Sequence, residues 1–129
     1  MMIEPNSPFS IVVHVEPNYL PEHSRPDDAE YAFSYTVSIS NNGEESVQLL
    51  SRHWVITDAN NRVREVSGDG VVGKQPHIGP GETYQYSSGA IIATSSGTME
   101  GSYQMLSATG ENFAAPIQPF GLIHPSALH

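Results

Sequence analysis

The arrangement in this chain most able to do chemistry is a run of three glycines at fixed spacing, Gly68-Asp69-Gly70-Val71-Val72-Gly73, followed by Lys74. Glycines spaced G-x-G-x-x-G bind dinucleotides when a strand feeds a tight turn that opens a helix, whose free N–H groups meet a pyrophosphate. Here the next residues are Lys74-Gln75-Pro76-His77-Ile78-Gly79-Pro80, and their two prolines and a glycine stop a helix from starting. No βαβ unit is available either. The pattern therefore reads as a loop in which glycines supply positive φ and let backbones approach closely. One binding role survives without a helix. The backbone around Gly68, Asp69, Gly70 and Gly73, helped by the Lys74 ammonium, can form a concavity of N–H groups that cradles a phosphate.

Other chemistries find less to work with. The six histidines (His14, His23, His53, His77, His124 and His129) show neither the H-x-x-x-H nor the H-x-H spacing that presents two metal ligands on one element. Folding could still bring His77 to Asp58 or Asp69, and the carboxylates of Asp27, Asp28 and Glu30 suit a hard cation. Each reads first as solvated surface, so no metal ligand is assigned. The absence of cysteine excludes thiolate catalysis and disulfides. Serines are frequent, but no G-x-S-x-G is present, and paired carboxylates such as Glu44-Glu45 are surface-like neighbours. The expectation is a protein that is not an enzyme and carries no cofactor. Fourteen acidic residues against five basic ones, a net charge of −9, argue against a nucleic-acid surface, which needs a field of Lys and Arg. That balance suits solubility, a basic partner or an attraction for cations.

The elements that must position these residues read as strands. Residues 9–17 alternate Phe9, Ile11, Val13 and Val15 against more polar neighbours, the period-2 pattern of a half-buried strand. Residues 18–30, with Pro21 and Pro26, form a loop. Residues 30–41 place Tyr31, Phe33, Tyr35, Val37 and Ile39 on one face, and Asn41-Asn42-Gly43 then turns the chain. In 46–57 the adjacent Leu49 and Leu50 break the alternation, which predicts a bulge or a change of face near Leu50. Trp54 belongs in the core. Arg52 shares its face by period 2 and needs a partner, for which Asp58 and Glu65 are candidates, while His53 points to the opposite face. Further strands are predicted at 62–66, 82–88, 98–108 and 111–119, with 71–80 irregular and 89–97 loop-like. Pro116 and Pro119 confine the last strand to a sheet edge. Seven short strands and no helical period predict an all-β, seven-stranded antiparallel β-sandwich of the fibronectin type III or immunoglobulin-like kind. Residues 1–8 read as a flexible N-terminal arm, 9–119 as the domain and 120–129 as a tail packed only through Phe120 and Leu122. With no secretory signal and no apolar run long enough to span a bilayer, the expectation is a soluble, cytoplasmic protein, a monomer or weak homodimer that binds neither membrane nor nucleic acid.

Several of these segments together resemble a known family. The run Ser51-Arg52-His53-Trp54-Val55-Ile56-Thr57-Asp58, the glycine segment followed by Gln75-Pro76, then Pro80-Gly81, Tyr84, Tyr86, Ser87 and Gly97-Thr98-Met99-Glu100-Gly101-Ser102-Tyr103 are similar to the ApaG family, also called CorD. The resemblance covers about residues 9–120 in one colinear order. It implies a sandwich similar to fibronectin type III, and a genetic association with a diadenosine tetraphosphatase. It also implies links to cobalt resistance and magnesium efflux, and protein-interaction roles where such domains occur in eukaryotic F-box and polymerase-interacting proteins. It supplies no reaction. The functional expectation is a non-enzymatic binding module whose partner is another protein, docked on a sheet face or along the 111–117 edge. The alternatives are a phosphate or dinucleoside polyphosphate at 68–74, or a divalent cation on nearby carboxylates.

Overall fold

The computed structural model describes residues 9–127, so the predicted arm at 1–8 lies outside the described residues. In chain order the strands are β1 (Ile11–Tyr19), β2 (Tyr31–Asn41), β3 (Val47–Asp58), β4 (Val63–Asp69), β5 (His77–Ile78), β6 (Thr83–Ile92), β7 (Ser96–Ser107) and β8 (Asn112–Ile123). One antiparallel sheet has the order β1-β2-β6. The other runs β4-β3-β7-β8, with the two-residue β5 added to the start of β3. This is the predicted β-sandwich, seven long strands plus one short one. Because β2 and β3 belong to different sheets, as do β6 and β7, the connections cross between layers.

The alternation seen in the sequence is the alternation of burial. Along β2, Phe33, Tyr35, Val37 and Ile39 are buried, and they face Val47, Leu49, Trp54 and Ile56 of β3 and Met99, Tyr103 and Met105 of β7. On the solvent side of the first sheet the hydroxyls of Thr36 and Ser87 pair at 2.8 Å, and those of Ser40 and Thr83 at 2.9 Å, which satisfies polar residues where water is available. Trp54, 2% exposed, lies between the sheets with Tyr35, Phe120 and Tyr103 at ring-centroid distances of 5.3, 5.9 and 6.3 Å. The core aromatics thus come from both sheets and tie them together.

The predicted break at Leu50 is a bulge. The β3–β7 register slips by one residue between Leu49 and Ser51, as an extra residue on β3 requires. A second slip between Met99 and Gly101 falls opposite Gln118 and Pro119 of β8. It allows β8 to continue past Pro119, so residues 120–123 are strand rather than tail, and Leu122 is fully buried. The loop expected at 89–97 is also mostly strand. Its small residues Gly89 and Ala90 pair with Ser34 and Phe33, and Ile92 packs in the core, so tertiary pairing overrides a weak local preference. Likewise β4 runs on to Asp69, so Gly68 and Asp69 belong to a strand rather than a loop.

The two sides of the sandwich differ. On one side β1 and β8 lie against one another, and Phe9 stacks on Phe113 with centroids 4.1 Å apart. On the other side β4 and β6 are the outer strands of their sheets, and they pack against one another far less than β1 and β8 do.

Candidate functional site

The glycine segment turns out to be a clasp that holds the end of β4 against the bulge. The Gly70 N–H donates to the Leu50 carbonyl at 2.8 Å, and the Gln75 side-chain amide donates to the same oxygen at 2.9 Å. Val71 and Lys74 close a tight turn by exchanging hydrogen bonds of 2.8 and 3.0 Å. The two residues between them, Val72 and Gly73, have φ of 48° and 77°, the geometry of a type I′ turn. Gly70 also has positive φ (66°), and a Cβ there would stand 2.3 Å from the Lys74 carbonyl oxygen. Gly68 serves a different purpose, because a Cβ would fall 2.9 Å from the Arg52 guanidinium. Arg52 donates to the carbonyls of Gly70 (2.8 Å) and Asp69 (3.2 Å). Neither Asp58 nor Glu65 is therefore its partner, since carbonyls of the neighbouring strand end lie closer. Val71, fully buried, anchors the loop in the core.

This clasp changes what the segment can offer an anion. The N–H groups of Gly70, Val71 and Lys74 already serve backbone carbonyls. A phosphate at 68–74 would have to rely on the N–H groups at the turn's tip, Val72 and Gly73, and on the exposed Lys74.

His53 lies on the face opposite Trp54, as predicted, and its Nε2 meets Glu65 Oε1 at 2.8 Å across the outer face of β3 and β4. His77 pairs with Gln48 at one end of β3, whereas Asp58 lies at the other end, so folding separates this candidate metal pair. Among the described residues no three His, Asp or Glu side chains converge as a metal would require. Between the sheets the hydroxyls of Tyr86 and Tyr103 meet at 2.5 Å. Burial pushes the Tyr86 phenol up to about 12 against the opposing effect of the Tyr103 hydrogen bond, and burial together with Tyr86 drives Tyr103 higher still. Both are neutral at physiological pH and serve as a polar tie across the core rather than as bases.

The open side between β4 and β6 gathers features that no single motif announced. Three neighbouring cavities, of about 210, 440 and 220 Å³, share Arg64 as a wall. Arg62 lines the first and Arg52 the third, so three of the chain's five basic residues surround this cleft. Arg64 reaches across it from β4 and donates to the Ile91 carbonyl of β6 at 3.3 Å. Val63 and Ile91, 60% and 51% exposed, stand at its mouth.

Comparison with known proteins matches this architecture along its length. The ApaG domain model matches residues 21–107. The ApaG protein of Azotobacter vinelandii is 53% identical over 121 residues, covering 94% of this chain and 96% of that one. The ApaG protein of Pseudomonas paraeruginosa is 55% identical over 117 residues, covering 91% and 93%. The chain belongs to the ApaG family. A solved ApaA protein structure from Bordetella pertussis superimposes with a TM-score of 0.89 at 47% identity, covering 92% of this chain and 96% of that one. The segments that signal ApaG in the sequence, around Trp54 and the three glycines, are thus those that build the bulge, the clasp and the core tryptophan. The cleft beside them was missed as a site. Its one visible signal was the concentration of four of the five basic residues between positions 51 and 81.

Proposed function

We propose that this ApaG domain is a non-catalytic binding module whose partner is another protein, docked on the open side between β4 and β6. The observation that carries this reading is the pairing of exposed apolar side chains, Val63 and Ile91, with the arginines of the adjoining cavities. Apolar anchors rimmed by arginine are what protein interfaces favour, since an Arg side chain contributes both contact area and directed hydrogen bonds. A module that works by occupying its partner accommodates the links to cobalt resistance and magnesium efflux, because such an effect needs no metal on this chain. Affinity purification with the tagged protein should enrich one specific protein, and Ile91→Asp should abolish that enrichment while the fold persists. Enrichment indifferent to Ile91→Asp would refute the open side as the docking surface.

A second reading keeps the phosphate at the tip of 68–74. It is supported by the exposed Lys74 beside two consecutive left-handed residues. Backbone NMR titration with inorganic phosphate and diadenosine tetraphosphate tests it. Saturable shifts confined to 68–74 and lost in Lys74→Ala would support it, and unchanged spectra at millimolar ligand would remove it.

A further inference from the structure

We propose that β6 is the docking edge, and that it receives an extended, acidic segment of the partner as an added β-strand. This rests on the reading of the open side as a protein-binding surface and specifies how that surface works.

The phase of hydrogen bonding on β6 fixes which backbone groups are available. The Asn41 N–H donates to the Glu82 carbonyl at 2.9 Å, next to the register pair Ser40 and Thr83. In an antiparallel pair, residues that exchange hydrogen bonds alternate with residues that do not. Tyr84, Tyr86, Ser88 and Ala90 therefore bond to β2, whereas Gln85, Ser87, Gly89 and Ile91 turn their N–H and C=O groups toward the open side. The Ile91 carbonyl confirms the phase, because it is reached from that side by Arg64. The result is a row of outward donors and acceptors along the strand, with the Ile91 carbonyl at its end already engaged by Arg64.

Edge strands are ordinarily guarded by prolines, charges or bulges that discourage pairing with another chain. The other three outer strands are guarded. β1 carries Glu16 and Pro17, β4 carries Arg64, Glu65 and Asp69, and β8 carries Pro116, Pro119 and a bulge. β6, TYQYSSGAII, contains no proline and no charged residue along its ten positions. The 111–117 edge of β8 is thus a poorer docking strand than β6. It is also the side on which β1 lies.

Charge complementarity identifies the occupant. A strand laid along β6 would direct alternate side chains into the cleft over Ser88 and Ala90, whose small side chains leave space, facing Arg64 with Arg52 and Arg62 beside it. The net charge of −9 points to a basic partner for the surface at large, but the cleft sets three arginines against a single lining carboxylate, Asp58. Carboxylates at alternate positions would pair with Arg62 and Arg64 through charge-assisted hydrogen bonds, while Arg52, held by the Gly70 and Asp69 carbonyls, adds its charge to the field. A second copy of this chain is the poorer occupant, because two molecules of the same strong negative charge repel one another.

The test is selection of phage-displayed random peptides on the full chain, followed by amide hydrogen exchange with a selected peptide bound. Selected peptides should carry Asp or Glu at alternate positions. Binding should newly protect the N–H groups of Gln85, Ser87, Gly89 and Ile91, while those of Tyr86, Ser88 and Ala90 are protected throughout. Arg64→Glu should weaken binding at least about tenfold. Ser87→Pro, which removes an outward N–H, should abolish it, whereas Ser87→Ala loses the same contact with Thr36 and should still bind. Peptides without acidic enrichment, or protection that falls on β4 or β8, would overturn the proposal. A library that yields no binder would also overturn strand addition. The binding-module reading would stand or fall separately on the Ile91→Asp purification.

Discussion

Val72 occupies the left-handed region at φ 48° with a β-branched side chain that is 64% exposed. A side chain there pays steric strain of roughly 1–2 kcal/mol and gains little from burial. Val72→Asn should therefore raise stability by about 1 kcal/mol, read as a higher urea midpoint at unchanged slope. The tyrosine pair behaves differently, since each hydroxyl is the other's partner. Tyr86→Phe leaves the hydroxyl of the fully buried Tyr103 unpaired and should cost about 1–3 kcal/mol, while the double change to Phe should cost less than the sum of the two singles. The pair also sets a pH dependence. The folded Tyr86 pKa, raised from 10.0 to about 12, means that the fold favours the neutral phenol. Its contribution is complete below pH 10 and is lost as pH rises through about 12. Ultraviolet titration should show Tyr86 and Tyr103 ionising only well above pH 10, together with unfolding.

At the scale of elements, the two bulges let the long strands of the second sheet change register and stay paired. The slip at Leu50 turns its carbonyl to the glycine clasp, and the slip opposite Pro119 lets β8 reach Ile123. Between them β3 and β7 approach so closely at Gly101 that a Cβ would lie 2.0 Å from the His53 carbonyl oxygen. Gly101→Ala should force these strands apart and destabilise the domain by about 3 kcal/mol, measurable by calorimetry; a neutral substitution would show that the pairing is slack. The bulge at Leu50 was legible because two adjacent leucines cannot both face the core of an unbroken strand. The continuation of β6 past Ser88 through Gly89 and Ala90 was not, because small residues acquire a strand's geometry only from the partner strand that pairs with them.

For the whole molecule, charge is unevenly spread. Fourteen acidic residues repel one another across a small domain, while Arg52, Arg62 and Arg64 gather at one cleft. Salt should then act with two signs. The melting temperature should rise as salt screens self-repulsion, and association at the cleft should weaken over the same range. Calorimetry and binding measured across one salt series separate the two, and binding that strengthens with salt would contradict an acidic partner.

The sequence by itself determined the all-β class, the core face of β2, the place of Trp54, the opposed faces of Trp54 and His53, and the family. Each follows from period-2 alternation or from residues adjacent in the chain. Only the tertiary structure decided the partner of Arg52, the role of the three glycines and the cleft between β4 and β6. The Arg52 guanidinium is satisfied by carbonyls 17 and 18 residues away, and Arg64 meets a β6 carbonyl 27 residues away. Contacts of that separation depend on how strands are ordered and which edges are left unpaired. No local pattern carries that information.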